Sequence, residues 1–234
     1  MNAIVPNAAT VPRYDMYRGV HKGLRAALGE CLYAVGRLDC GDRGCLSATL
    51  AQVEELLDLF AAHLRHEDRF IHPAMEMHRP GSAAQGILEH LEHERAIAEL
   101  QRMTAAVAQA SGPAQLDAAH QLYHQLTLFA AENLEHMHRE ETAHNAVLWA
   151  SHRDTELAAI EGALVASIPP ELMARYLRWM LPAMNGAERA GLLAGIQQDA
   201  PAPAFESARA IAKARLSTAE WTRLCHALAI NPAG

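Results

Sequence analysis

Long stretches in which apolar and polar residues mix at helical spacing, rich in Ala and Leu, are cut by short turn-forming clusters. Each stretch predicts a helix. The first covers about 13–37, includes YRGVHKGLRAALGECLYAVGRL and stops at LDCGDRGC, a turn by composition. The second covers about 46–78 and is ended by Pro80-Gly81. The third covers about 84–110 and ends at SGP. Pro113 suits the first turn of a fourth helix running to about 150. Four helices of roughly 25–35 residues with short links predict an antiparallel up-down four-helix bundle.

After residue 150 the stretches shorten. Helices are expected over about 153–167, 170–181 behind Pro169-Pro170, and 186–198 behind Asn185, an N-cap residue type. PAPAF breaks the chain. Helices over about 205–214 and 218–229 follow, the last opened by Ser217 with Glu220 three residues on, a capping box. The expected architecture is all-α: a bundle over 13–150 and a C-terminal helical extension over 151–234 packed on it.

Composition sharpens this picture. Apolar residues make up 50% of the chain and aromatics only 5%, enough for a core but poor in sheet formers. A net charge of −7 with mixed signs excludes the basic face that nucleic acid requires. No apolar run approaches the roughly 18 residues of a membrane span. MNAIVPNAATVPRYD has neither the basic start nor the apolar core of an export signal. A cytoplasmic protein with no membrane partner is expected. Cys31, Cys40, Cys45 and Cys225 are too few and scattered for a disulfide scaffold. Cys40 and Cys45 alone flank a loop that oxidation could close.

The chemistry lies in the 14 histidines, most of them between His63 and His144. The second helix carries His63-Leu-Arg-His-Glu67 and the fourth His136-Met-His-Arg-Glu140. In each, His and Glu are four residues apart, about 40° around the helix, and can grip a metal together. The segments HLRHEDRFIHPAM and HMHREETAHNAVL align with His63 on His136, Glu67 on Glu140 and Asp68 on Glu141. The first helix offers His21, and the third offers His90 and His93 in ILEHLEHERAIAEL. Every bundle helix thus carries a candidate ligand. Buried imidazoles and carboxylates with no metal would carry a large desolvation cost. Ideal helical phase places His66, His72, His138 and His144 off the ligand direction. His120 and His124 form a pair turned about 120° away, facing solvent or an interface, and His78 sits at a helix end. All seven read as structural or surface residues.

The ordered set His21, His63/Glu67, His93, His136/Glu140 resembles the hemerythrin family of HHE cation-binding domains, over roughly 13–150. DMYRGVHKGL, HEDRFIHP, EHERAIAEL and HREETAHNAV carry the likeness. RWMLPAMNGAERAGLL resembles an extension found after some bacterial and plant members. The resemblance implies a non-haem pair of iron ions, oxygen-bridged and open to dioxygen or nitric oxide. His21, His63, Glu67, His93, His136 and Glu140 would be its ligands. Oxygen carriers of the family have two histidines four apart on the third helix. Here Glu89 stands four before His93, and His90 three before it. The carriers also place the last carboxylate five residues after the fourth-helix histidine. Both Glu140 and Glu141 are present here, and helical geometry favours Glu140. The nearer likeness is to bacterial hemerythrin-like proteins, with implied roles in sensing, iron handling and stress response.

Three classes of function follow. The first is a binding module that takes up dioxygen or nitric oxide, or reports redox or iron state, with the tail as its partner surface. The second is a di-iron enzyme, such as a peroxidase, a nitric-oxide reductase or an iron donor in iron–sulfur repair. The third is a scaffold whose metal only stabilises the fold. Reversible gas binding by the reduced protein, or turnover of peroxide, separates them.

Overall fold

The structure, a computed structural model, describes residues 13–231. The stretch MNAIVPNAATVP, on which most of the export-signal reading rests, lies outside the described residues. The chain is helical throughout and has no strand among the described residues. Its first half comprises α1 (Arg18–Gly36), α2 (Arg43–His66), α3 (His72–His78), α4 (Ala84–Gln109), α5 (Gly112–Arg139) and α6 (Asn145–Ser151). Helix α1 packs on α2 and α5, and α4 packs on the same two. The four long helices therefore close a ring around a common seam.

Local chemistry sets the ends. Asp15 Oδ1 accepts from the backbone N–H groups of Tyr17 and Arg18, which opens α1. Asp42 accepts from Gly44 and Cys45, so α2 begins slightly before the expected position 46. The tight link from α4 to α5 passes through Gly112 at φ +58°, a left-handed conformation that glycine adopts without steric cost. All four cysteines are free thiols.

The expected second and fourth helices are each interrupted. Glu67–Ile71 and Glu140–His144 are π-helical, joining α2 to α3 and α5 to α6. Each π turn starts on the glutamate of an HxxxE pair. The seam has an apolar layer on either side of these turns. On one side Phe60 meets Phe129 edge to face at 5.3 Å, among buried leucines of α1, α2 and α5. On the other lie Met16, Tyr17, Ile71, Met75 and Leu148. The functional histidines fill the layer between.

The second half comprises α7 (Asp154–Ala166), α8 (Pro170–Ala183), α9 (Gly186–Asp199), α10 (Ala202–Arg215) and α11 (Thr218–Ala227). The capping boxes Asn185/Glu188 and Ser217/Glu220 open α9 and α11. Leu177, Leu181, Leu193, Trp221 and Leu224 form a separate core here. Helix α8 lies along α1. The Tyr176 hydroxyl donates to the Leu59 carbonyl at 2.9 Å, and Arg175 donates to the Glu55 carbonyl at 3.1 Å. Among the described residues no single helix is long and apolar enough to cross a membrane.

The α1–α8 contact depends on Gly23. A Cβ at that position would sit 3.0 Å from Met180 N and 3.1 Å from its Cα. Gly23→Ala adds about 1 kcal/mol of helix propensity. It also forces backbone against backbone, and overpacking of this kind costs typically about 1–3 kcal/mol. The net expectation is a lower urea midpoint at unchanged slope. A higher midpoint would show that α8 is not seated on α1 as described.

Candidate metal centre

Four ring nitrogens and two carboxylates converge in the middle layer of the seam. His21 Nε2 lies 3.2 Å from His63 Nε2. Glu67 Oε1 is 3.2 Å from His63 Nε2 and 3.8 Å from His21 Nε2, while its Oε2 faces His90 Nε2 at 3.5 Å. Glu140 mirrors this. Its Oε2 is 3.4 Å from His21 Nε2, and its Oε1 is 3.2 Å from His136 Nε2 and 3.8 Å from His90 Nε2. Each carboxylate turns one oxygen to each histidine pair. Two quartets result, His21/His63/Glu67/Glu140 and His90/His136/Glu67/Glu140, each with its ligand atoms within 4.8 Å of one another.

The six residues are nearly sealed from solvent, with His21 and Glu140 at 0% exposure. Both oxygens of Glu67, both of Glu140, and Nε2 of His90 and His136 have no hydrogen-bond partner. Buried polar atoms are almost always paired, because an unpaired one costs roughly 1–3 kcal/mol and a charged one more. Here the orphans all point at one another's space. Imidazole with carboxylate is the donor set of a borderline-to-hard transition ion, and a cation between them removes the penalty.

Three of the four outer nitrogens face carboxylates. His136 Nδ1 is 2.8 Å from Glu89, His90 Nδ1 is 2.8 Å from Asp68, and His21 Nδ1 is 3.1 Å from Glu141. A carboxylate on the far nitrogen of a ligating imidazole fixes its orientation and raises its basicity. Arg25 also grips Glu141, and Arg139 grips Glu89. Burial pushes the Glu141 carboxyl up, but hydrogen bonds from His21 and Arg25 outweigh it and bring the group to about 2. Burial first, then the neighbouring imidazoles, hold His63 well below the usual histidine range. It stays neutral, the form that binds metal.

The structure brings together His21, His63, Glu67, His136 and Glu140. On α4 the nitrogen that reaches the cluster belongs to His90, not His93. His93 is buried beside them, its ring 4.8 Å from that of His136 and 6.3 Å from Phe129, but it belongs to neither quartet. The two positions are three residues apart, and the roll of α4 in the bundle decides between them. Glu89 and Glu141, the open alternatives, sit behind His136 and His21. His120 and His124 face each other on the exposed surface of α5, with Nε2 atoms 3.0 Å apart.

His72 and His144 correct the expectation of structural or surface positions off the ligand direction. They are 3% and 6% exposed and lie beside the cluster, with rings 5.7 Å apart. The π turns are the reason. A residue in a π turn advances roughly 80° instead of about 100°, so five of them set the following residues back by about a quarter turn. Gly86 makes the room, because a Cβ there would lie 2.9 Å from His144 Cε1 and 3.1 Å from His72 Nε2. The one sequence signal for this was a single histidine soon after each HxxxE pair, His72 five residues past Glu67 and His144 four past Glu140.

Comparison with known proteins decides the family. The Hemerythrin HHE cation binding domain matches residues 13–147, more than half of the chain and the whole of the cluster. The chain belongs to the hemerythrin HHE cation-binding domain family. No curated protein and no solved structure matches it. The HHE domain ends close to the last residue of the second π turn, so the family match contains all of the converging ligands and stops before α7.

The choice between His90 and His93 is open to test in this HHE domain. His90→Gln is expected to lose at least half of the bound metal. His93→Gln is expected to keep it, at a modest cost in stability. Metal content by plasma emission on both purified variants reads this out. The reverse pattern would mean that α4 is rolled by one position from its described setting.

Proposed function

We propose that this HHE domain holds two iron ions, one in each quartet, bridged by Glu67 and Glu140, and that the pair binds dioxygen or nitric oxide as a sensor or carrier. The convergence of orphaned buried donor atoms carries this reading. Two quartets sharing both carboxylates supply six residues, more than one ion needs and a natural complement for a bridged pair. Histidine and carboxylate together suit iron. Four imidazoles and two bridging carboxylates leave coordination positions for a small ligand, which a saturated structural site would not have. Bound iron supplies reversible electron transfer to such a ligand. The chain's own residues orient the rings through Asp68, Glu89 and Glu141 and exclude bulk water through the apolar layers.

A second reading, turnover of peroxide, is supported by Tyr17 and His144. Tyr17 is fully buried, 5.1 Å ring to ring from His21, and its hydroxyl lies 3.4 Å from His144 Nδ1. Groups that can hold a proton beside the ligand space suit acid–base work on an oxygen species. Anaerobically reduced, iron-loaded protein separates the readings. A sensor or carrier is expected to change absorption reversibly with dioxygen or nitric oxide and to leave peroxide unconsumed. Loading of zinc alone, or fewer than two ions from iron-replete cells, would sink both.

A further inference from the structure

A surface cleft reaches the cluster from outside. It is about 330 Å³ and lies between α3 and α4, with Ile87 and Leu91 on its wall and His72 and His90 at its base. Three carboxylates line it as well: Asp68, Glu76 and Glu94. Those of Glu76 are committed to the following turn, accepting from the backbone N–H groups of Gly81 and Ala83 at 2.7 Å each. Glu94 and the second oxygen of Asp68 remain available, the first oxygen of Asp68 being held by His90. Asp68 is 41% exposed, so it meets solvent at one end and the buried histidines at the other.

His72 has no part in either quartet, yet it is 97% buried by its 3% exposure. Neither of its ring nitrogens makes a hydrogen bond. Nδ1 comes within 2.9 Å of Asp68 Oδ1 but off the direction of a hydrogen bond. The same oxygen is 2.8 Å from His90 Nδ1. The rings of His72 and His90 lie 4.7 Å apart and tilted by 32°. Asp68, His72 and His90 thus present three donor atoms within 4.8 Å. His90 belongs to both places, with its Nδ1 toward this trio and its Nε2 toward Glu67 and Glu140.

We propose that Asp68, His72 and the outer face of His90 form a transit site for a divalent transition cation, through which the metal passes from the cleft to the inner quartets. The carboxylates draw the cation in, and the orphaned imidazole of His72 replaces part of its water shell. His90 then offers its inner nitrogen one ring-width deeper, where two more carboxylates wait. The inference rests on the two-ion reading above and adds the route by which the ions arrive.

The test uses the full chain, stripped of metal, and anaerobic cobalt(II), whose visible absorption reports ligation and which does not oxidise under these conditions. His72→Gln is expected to slow uptake about tenfold. Glu94→Gln is expected to slow it about threefold at low salt, with the difference vanishing at high salt. Both variants should reach the parent's final spectrum and stoichiometry, and their circular dichroism should match the parent's. Unchanged uptake rates in both variants would overturn the route while leaving the two-ion reading intact. A lower end-point in His72→Gln, or a third ion retained by the parent and lost in that variant, would make His72 a resident ligand and overturn transit. A parent that takes up no pair of ions would sink the two-ion reading itself.

Discussion

Removing the metal is expected to lower the thermal midpoint of this protein by about 8–16 °C per tightly held ion. A ligand present at a thousand times its dissociation constant stabilises the folded state by about 4 kcal/mol, and a domain of this size shifts by about 2–4 °C for each kcal/mol. The molecular cause is visible in the seam. Without a cation, Glu67 and Glu140 face each other across a closed layer, with all four oxygens unpaired. Burial first, then the Glu140 charge, push the Glu67 carboxyl well above the usual carboxylate range. Scanning calorimetry of chelator-treated and reconstituted protein measures the shift. A midpoint that moves by less than about 2 °C, with metal loss verified, would mean that the orphaned atoms are satisfied some other way.

The second large effect separates the inner carboxylates from the outer ones. Glu140→Ala is expected to weaken metal binding by well over about 100-fold and to leave almost no ion bound, because Glu140 belongs to both quartets. Glu141→Gln is expected to fall within the roughly 10–100-fold range that loss of an outer-shell partner typically costs, because Glu141 acts only through His21. His63→Ala touches one quartet and should retain about one ion. Isothermal titration with cobalt(II), alongside circular dichroism to confirm folding, ranks the three. Parent-like affinity in Glu140→Ala would refute the bridging role. A larger loss in Glu141→Gln than in Glu140→Ala would move the ligand by one residue, to the carriers' spacing.

Much of this was legible from local chemistry. Helix ends follow residues that cap or break by themselves: Asn185, Ser217, Pro80-Gly81 and Pro113. The pairs His63/Glu67 and His136/Glu140 were readable because four residues fit within about one turn, before any later irregularity can accumulate. The choice of His90 over His93 was not readable. It depends on how far α4 rolls against α2 and α5, a property of four packed helices and not of one sequence window. His72 and His144 were hidden for a different reason. Phase arithmetic assumes an unbroken α-helix, and nothing in EDRFI or EETAH declares a π turn by composition. The functions of Asp68, Glu89 and Glu141 were equally hidden, because a carboxylate next to a ligand looks the same whether it faces the metal or the back of an imidazole.

That ring of outer carboxylates bears on electron affinity. Asp68, Glu89 and Glu141 each press negative charge onto the far side of an imidazole, and Glu67 and Glu140 add theirs directly. Arg25 and Arg139 offset only part of this, from positions 30% and 39% exposed, where water weakens their pull. An anionic, electron-rich shell in a dry interior stabilises the more highly charged state of any ion it encloses. For the iron pair proposed above, this drives the reduction potential down. Protein loaded with such a pair and handled in air is then expected to rest in its oxidised form and to need a strong reductant before a gas is offered to it.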